Sequence, residues 1–393
     1  MAPIYLDHAA TTPVDARVLE AMLPFLREHY GNASSVHSLG RKARYAVESC
    51  RERVAACLGA QPSEILFTSG GTESDNTALM GMFADADKCL ITSSAEHEAI
   101  LKSASRLKES GRCVRMLQPG PTGSVNSNQV REAISGDTGL VSLMHVNNEV
   151  GAISDVEEIA GICNERGVLF HCDAVQSVGM LPLDMGELAI DALSISGHKI
   201  YGPKGIGVLF VRGGSTIHPL VVGGAQERGR RAGTENVAGI VGIATALELV
   251  LLEREERYAH VHALRERLYR HLCDALDNKC IINTSMEDGT SSPHILSIAF
   301  SPQDGAKIDG EMLLLNLDME GICVSSGSAC TSGAVEPSHV LLAMGIPQDT
   351  ASASVRFSLG KDNTMAEIDY VVIILKKIID RMTQKTQRKL VGD

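Results

Sequence analysis

The chain has 393 residues, which is enough for two domains with sizeable cores. Its 44% hydrophobic and 21% charged residues are typical of a globular protein, and a formal net charge of -12 argues against nucleic acid or an anionic membrane as a main partner. Ten cysteines are scattered without a C-x-x-C pair, which predicts reduced thiols in a cytoplasmic protein, with neither a disulfide framework nor a metal site.

Strands and helices alternate over the first half of the chain. Predicted helices lie at 16–28, 39–58, from 73 onward, 98–110 and 155–166. Predicted strands lie at 64–68, 89–92, 140–146, 168–172, 192–195 and 206–211. This alternation indicates a mostly parallel sheet with helices on its faces, and ligands of such sheets bind outside the carboxyl ends of the strands.

A long, mainly helical region at 236–276 leads to a second, smaller α/β lobe. Its apolar run at 237–252 contains Glu248 and is more typical of a buried helix than of a membrane span. The N-terminus has no basic leader, so no secretory signal is predicted. The lobe is predicted to hold strands at 294–300, 323–325 and 354–359 and helices at 310–320, 338–344 and 365–381.

Lys199 follows the buried strand Ala192–Ile195 and precedes a segment rich in glycine and proline. Partial burial disfavours the charged form of a lysine, which then becomes an amine nucleophile able to form a Schiff base. A surface lysine at a strand end is the alternative for this residue taken alone.

Two other polar clusters follow strands. S-G-G-T at 69–72 begins a helix, where free N–H groups favour a phosphate, although the same turn is also an ordinary strand-to-helix connection. Asp173 ends the strand V-L-F-H-C-D, with Gln176 three residues later. A buried carboxylate requires a cation or several donors, and the protonated nitrogen of a pyridoxal ring is one such cation. A helix cap is the alternative for Asp173.

His97 opens a helix after the strand C-L-I-T-S, as either a stacking or proton-relaying imidazole or a solvated helix-start residue. The cluster N-N-E at 147–149 closes another strand, in a pattern that plain turns also show.

Cys330 lies in S-S-G-S-A-C-T-S-G, a loop of small residues that is expected to expose the thiol for chemistry. Arg356 lies in the short strand S-V-R-F-S-L-G, where its fork suits either a carboxylate ligand or a structural salt bridge.

Together these motifs resemble the cysteine desulfurases of iron–sulfur cluster assembly. The motifs are S-G-G-T-E-S-D-N, A-E-H, H-V-N-N-E-V-G, D-A-V-Q-S, S-G-H-K-I-Y-G-P-K-G and S-S-G-S-A-C-T-S-G, and the last resembles group I of that family. The resemblance runs from L-D-H-A-A-T-T-P to V-R-F-S-L-G and so covers nearly the whole chain.

The resemblance implies the α/β, aspartate-aminotransferase-like fold of pyridoxal-phosphate enzymes of fold type I. A large domain, 14–257, is expected to hold a mostly parallel seven-stranded sheet. A small α/β domain, 1–13 and 258–393, is expected to carry the Cys330 loop. The family also implies a homodimer with its sites at the subunit boundary.

The resemblance further implies the role of each site residue. Lys199 is expected to form the Schiff base with pyridoxal 5′-phosphate, while His97 stacks on the ring. Asp173 is expected to pair with the ring nitrogen and Gln176 with the ring hydroxyl. The other cofactor-binding residues are expected to be Gly71, Thr72, Asn148, Ser196, His198 and, from the partner subunit, Thr234. Asn148 and Arg356 are expected to hold the substrate carboxylate.

The implied reaction removes sulfur from L-cysteine, giving L-alanine and a persulfide on Cys330 that passes to an iron–sulfur scaffold or a thio-modification protein. The alternatives are a selenocysteine lyase, another fold type I enzyme such as an aminotransferase, and a non-catalytic partner subunit. An aminotransferase has no use for an exposed loop cysteine, and a non-catalytic subunit has no need of Lys199 or Asp173. The selenocysteine lyase stays open because the same cofactor residues serve both reactions.

Overall fold

The computed structural model describes residues 3–83, 87–276, 279–301, 307–326 and 336–391, so Cys330 lies outside the described residues. The described strands are β1 (Ile4–Tyr5), β2 (Ile65–Thr68), β3 (Cys89–Ser93), β4 (Cys113–Leu117), β5 (Thr138–Met144), β6 (Leu169–Asp173), β7 (Ala192–Ser196), β8 (Gly207–Val211), β9 (Ile281–Ile282), β10 (Ile295–Ala299), β11 (Ile322–Cys323) and β12 (Ser354–Ser358). The described helices are α1 (Ala16–Arg27), α2 (Ser38–Leu58), α3 (Gly71–Thr77), α4 (Glu98–Glu109), α5 (Ser127–Ala133), α6 (Val156–Glu165), α7 (Val237–Leu252), α8 (Arg254–Leu276), α9 (Gly310–Met319), α10 (His339–Ala343), α11 (Gln348–Ala351) and α12 (Met365–Val391).

The central sheet has seven strands within the described ranges, in the order β2-β8-β7-β6-β5-β3-β4. β8 runs antiparallel to β2 and β7, and the other four pairings are parallel. The predicted mostly parallel α/β sheet is therefore confirmed. The carboxyl ends of β3, β5, β6 and β7 meet at one edge, and His97, Asn148, Asp173 and Lys199 lie at or just after those ends.

Two elements of this region were not predicted, the edge strand β4 and the short helix α5. Within the described chain β4 pairs with β3 alone, and its side chains are exposed or half-buried. An edge strand of this kind carries Arg115 in its centre and lacks the apolar run of a buried strand, which is why the sequence pattern does not reveal it.

The register of β3 and β4 corrects the expectation that the cysteines are all reduced. Cys89 is directly opposite Cys113, with the Cα atoms 4.5 Å apart, and the two form a disulfide. The expectation of no disulfide was wrong at this pair, because strand register brings together two thiols that are 24 positions apart in sequence. Seven other cysteines of the described chain are free.

The apolar side chains form two main cores. The first includes Phe170, Leu193 and Leu247, and lies around the central sheet and the helices α2 and α7. The second includes Leu264, Phe357 and Leu375, and lies between α8, the small sheet β12-β10-β9 and α12. The predicted domain boundaries, at 13/14 and 257/258, stay a proposal that these two cores support.

Helix α7 has the bounds expected for the buried apolar run, and most of its residues are buried. Among the described helices, none is both long enough and apolar enough to cross a membrane.

Candidate active site

A cavity of about 770 Å³ opens at the carboxyl ends of the parallel strands. The predicted site residues that line it are Gly71, Thr72, His97, Asn148, Asp173, Gln176, Ser196, His198, Lys199 and Arg356. Thr234 does not line it, and Cys330 lies outside the described residues. The cavity therefore brings together ten residues that are distributed from position 71 to position 356.

Lys199 ends a short 3₁₀ turn, Gly197–Lys199, that follows β7 directly. Its Nζ donates hydrogen bonds to the carbonyl oxygens of Ala9 and Ala10, the latter at 2.7 Å. Burial, together with the nearby charge of Arg356, lowers the pKa of Lys199 to about 8. About a tenth of this amine is consequently neutral at pH 7, far more than of an exposed lysine, and the neutral form is the one that a nucleophile or a base requires.

The turn that holds Lys199 continues through a strained backbone. Tyr201 is buried and has φ of 63°, in the left-handed region that a bulky side chain rarely adopts. Its backbone N–H donates to Thr12 Oγ1 at 2.9 Å, and its hydroxyl accepts from the backbone N–H of Lys361 at 2.9 Å. These contacts stabilise the conformation that turns the chain immediately after Lys199.

Asp173 is the last residue of β6 and is buried. Its Oδ1 accepts a hydrogen bond from the backbone N–H of Val175 at 2.9 Å. Burial raises the pKa of Asp173, whereas the electrostatic interactions of its carboxylate with His97 and Lys199 oppose that rise. A cation placed against this carboxylate would stabilise its charged form, so the site suits a protonated ring nitrogen.

Two further buried acids lie near Asp173. Asp75 and Glu96 are buried, and each has one carboxylate oxygen without a hydrogen-bond partner in the described part of the chain. Burial raises the pKa of both, and the charge of Asp173 adds to the rise in each case. Burial of the three acids close together therefore favours their protonated forms, and a nearby cation would oppose that preference.

His97 caps α4, with its Nδ1 accepting a hydrogen bond from the backbone N–H of Ala99 at 3.1 Å. That bond requires an unprotonated Nδ1, so the proton of the neutral ring is assigned to Nε2. Burial lowers the pKa of the His97 imidazole, and the negative charge of Asp173 opposes that lowering. The ring itself stays accessible from the open cavity.

The amino end of α3 forms another wall of the cavity. A Cβ added at Gly71 would lie 2.8 Å from Val175 Cγ2, so the close approach of the backbone requires glycine there. The nearby His198 has its Nδ1 3.1 Å from Thr11 Oγ1, and burial with the charge of Lys199 lowers its pKa to about 4. His198 is therefore a neutral ring at neutral pH.

Thr234 is exposed and lines a separate, smaller cavity of about 150 Å³ with Glu227 and Arg231. Arg231 in turn pairs with Glu73, whose carboxylate lies 2.9 Å away. A single chain therefore leaves Thr234 apart from the other predicted cofactor residues.

Arg356 lies on β12 and is buried. Its Nη1 donates to the backbone oxygen of Asn148 at 2.8 Å, and its Nη2 donates to Asp7 Oδ1 at 2.8 Å. The structural salt bridge that the sequence left open is thus present. The third nitrogen of the guanidinium, Nε, is buried and has no hydrogen-bond partner among the described residues.

Sequence reasoning did not single out Asp7, Asp75 or Ser325. The last two line the cavity, and the first holds Arg356. All three lie within motifs that the sequence analysis quoted, L-D-H-A-A-T-T-P, S-G-G-T-E-S-D-N and the segment that begins S-S-G-S-A-C. Their membership of those motifs was the available signal, but only the folded chain shows what each side chain contacts.

Comparison with known proteins places these features in a family. The sequence model of the aminotransferase class-V family matches residues 4–371. A cysteine desulfurase of Trichormus azollae is 46% identical over 384 residues, covering 97% of this chain and 94% of that protein. The cysteine desulfurase IscS of Dictyoglomus turgidum is 43% identical over 384 residues, covering 96% of this chain and 95% of that protein. The solved structure of a NifS-like protein superposes with a TM-score of 0.88 at 39% identity, covering 96% of this chain and 99% of the other.

Proposed function

The chain belongs to the class-V aminotransferase family and is a cysteine desulfurase, and we propose that the 770 Å³ cavity binds its pyridoxal 5′-phosphate and its L-cysteine. The observation that carries this assignment is that Lys199, Asp173 and Arg356 line one cavity. An amine whose pKa is about 8, a buried acid and a guanidinium are the three groups that an amino-acid substrate and a pyridine ring require.

The residues of the cavity fit pyridoxal phosphate. Asp173 offers a buried carboxylate whose charged form a cation such as the ring nitrogen would stabilise. The accessible ring of His97 offers a flat surface against which the pyridine can stack. Gln176 is oriented by its Nε2, which donates to Ala9 O at 2.8 Å, and we assign it to the ring hydroxyl.

The phosphate is assigned to the wall formed by the amino end of α3 and the end of β7. Gly71 and Thr72 present the N–H groups of the first helical turn, which have no partner within the helix. Ser196 and the neutral ring of His198 add hydrogen-bond donors. Thr234 is assigned to the phosphate of the partner subunit, since a single chain leaves it exposed outside the cavity.

Bound pyridoxal phosphate supplies an electron sink for the Cα–H bond of cysteine. Lys199 holds the cofactor through its Nζ and, once the substrate has displaced it, removes the proton from Cα as a neutral amine. Arg356 holds the substrate carboxylate beside Lys199, and Asn148 positions Arg356 through its backbone oxygen. The chain's part in this half of the reaction is therefore to orient cysteine and to move one proton.

Sulfur transfer is assigned to Cys330. Its thiolate forms a bond to the substrate sulfur while the substrate C–S bond breaks, leaving the electron pair on Cβ. Protonation of Cβ completes L-alanine, and Cys330 holds a persulfide. Described residues before and after Cys330 lie near the cavity. Ser325 lines it, and Ser338 donates a hydrogen bond to the buried carboxylate of Glu149, the residue that follows Asn148 of the cavity lining.

The proposal is tested by mixing the purified protein, reconstituted with pyridoxal phosphate, with L-cysteine under reducing conditions. We expect wild type to form alanine and sulfide, and Cys330→Ala to keep the absorbance of the bound cofactor but to release no sulfide. Equal sulfide release by Cys330→Ala would overturn the persulfide step. Consumption of selenocysteine with no turnover of cysteine would assign the chain to the lyases instead.

We also propose that the protein is a homodimer and acts in the cytoplasm. Its sulfur acceptor is proposed to be either an iron–sulfur scaffold or a thio-modification protein. The exposed position of Thr234 supports a shared site, and so do the large exposed apolar side chains of Tyr30, Val36, Tyr45 and Val222. Seven free thiols in the described chain support a reducing compartment, in which the Cys89–Cys113 pair would be open to reduction. Light scattering after size-exclusion chromatography tests the dimer, and a monomer with full activity would contradict the shared site.

A further inference from the structure

We propose that Ser325 is a substrate-binding residue whose Oγ donates a hydrogen bond to the α-carboxylate of cysteine, beside Arg356. This inference rests on the proposed function, and it assigns to the carboxylate a second, uncharged donor that distinguishes α-amino acids from amines and esters.

The backbone places Ser325 directly opposite Arg356. The N–H of Arg356 donates to Ser325 O at 2.7 Å, and the N–H of Ser325 donates to Arg356 O at 3.5 Å, which forms an antiparallel bridge. Residues that are directly opposite in an antiparallel pair project from the same face of the sheet, with their Cβ atoms about 5 Å apart. Both residues line the 770 Å³ cavity, so that shared face is the cavity wall.

The two side chains leave two donors without partners. Ser325 Oγ and Arg356 Nε are both shielded from solvent, and neither has a hydrogen-bond partner within the described ranges. The other nitrogens of Arg356 are already engaged, with Asn148 O and Asp7 Oδ1. Buried donors are normally satisfied, so this pair calls for an acceptor. Rotation about the Ser325 Cα–Cβ bond would bring the hydroxyl donor to an acceptor that enters the cavity.

A carboxylate matches the pair. It presents two oxygens with about four lone-pair sites, enough to accept from a hydroxyl and a guanidinium at once. Because Asp7 already balances the charge of Arg356, a neutral donor strengthens the site without adding a further charge. Lys199 lines the same cavity as Ser325 and Arg356, so this carboxylate site shares the cavity with the amine that acts on Cα.

The test compares wild type, Ser325→Ala and Ser325→Thr, which keeps a hydroxyl. Ser103→Ala is the matched control, because Ser103 Oγ is equally buried and unpartnered but lies on α4, outside the cavity lining. Each holoenzyme is assayed with L-cysteine and with L-cysteine methyl ester, whose carboxylate is blocked. The dissociation constant of L-alanine is measured from the absorbance change of the bound cofactor, and the thermal midpoint from circular dichroism.

We expect Ser325→Ala to raise both KM for cysteine and the dissociation constant of alanine about tenfold, with kcat changed less than about twofold. The kinetics of the methyl ester should not distinguish Ser325→Ala from wild type. Ser325→Thr, which keeps the hydroxyl, should restore alanine affinity lost in Ser325→Ala, and Ser103→Ala should behave as wild type. Unchanged alanine binding in Ser325→Ala, or an equal loss with the ester, would overturn the assignment of Ser325 alone. Failure of wild type to turn over cysteine would instead overturn the proposed function, and this inference with it.

Discussion

Arg356 Nη2 lies 2.8 Å from Asp7 Oδ1, which joins β12 to the segment that follows β1 across 349 positions of sequence. The same guanidinium holds Asn148 O at 2.8 Å, so one side chain connects three separate parts of the chain at the wall of the cavity. This arrangement fixes the planar fork in place before a substrate arrives.

The fork geometry predicts that Arg356→Lys retains the charge but loses function. A lysine ammonium cannot hold Asn148 O, Asp7 and a carboxylate in the planar arrangement of the guanidinium. We expect KM for cysteine to rise by about tenfold or more, equivalent to at least about 1.4 kcal/mol of binding. Steady-state kinetics measure the KM for cysteine. Arg267→Lys is the control, since the Arg267 guanidinium donates two hydrogen bonds to the Asp369 carboxylate on the surface, away from the cavity. Equal KM values for the two variants would contradict this role of Arg356.

The lowered pKa of Lys199 predicts the pH dependence of cofactor uptake. The neutral amine is the reactive form, so the rate at which cofactor-free protein takes up pyridoxal phosphate should rise with pH and level off above a midpoint of about 8. The charge of Asp7 opposes the lowering of the Lys199 pKa, so Asp7→Asn should shift the midpoint downward. Stopped-flow absorbance at a series of pH values measures both midpoints. A midpoint near that of an exposed lysine would show that Lys199 is not perturbed.

The buried acid Asp173 predicts a cofactor-binding defect in Asp173→Asn. The amide keeps the shape and still accepts from Val175 N, but it has no charge to offer a protonated ring nitrogen. We expect weaker cofactor binding, by about 2 kcal/mol or more, and a loss of turnover of about a hundredfold or more. Asp191→Asn is the matched control, because burial also raises the pKa of Asp191 but its Oδ2 accepts from Phe170 N, away from the cavity. Fluorescence titration with pyridoxal phosphate measures binding, and equal affinities in the two variants would contradict the assignment.

The Cys89–Cys113 disulfide predicts a redox-dependent stability. It closes a loop that spans 24 positions and contains α4, so its loss should cost about 3 kcal/mol through the entropy of the unfolded chain. Cys113→Ser should lower the thermal midpoint under non-reducing conditions and abolish its dependence on dithiothreitol. Cys273→Ser, at an exposed free cysteine, should leave both unchanged. Peptide mapping without reductant checks the pairing, and recovery of Cys89 as a free thiol from oxidised wild type would rule it out.

The sequence predicted which residues would share a site because most of the motifs follow a strand. In a parallel sheet the carboxyl ends of strands meet at one edge, so the period of apolar residues and the turns after them were sufficient to bring His97, Asp173 and Lys199 together. The resemblance of those motifs to one family predicted the fold, the reaction and the cofactor. Local pattern and chain order determined these features.

Only the tertiary structure decided which partners those side chains have. The edge strand β4 has no apolar run, so its pairing and the Cys89–Cys113 disulfide follow from register rather than from composition. Arg356 meets Asp7 and lies opposite Ser325 because strands from different parts of the chain pair at the cavity wall. Hydrogen bonds extend over about 3 Å and burial depends on every packed neighbour, so neither can be assigned until distant segments have been brought into contact.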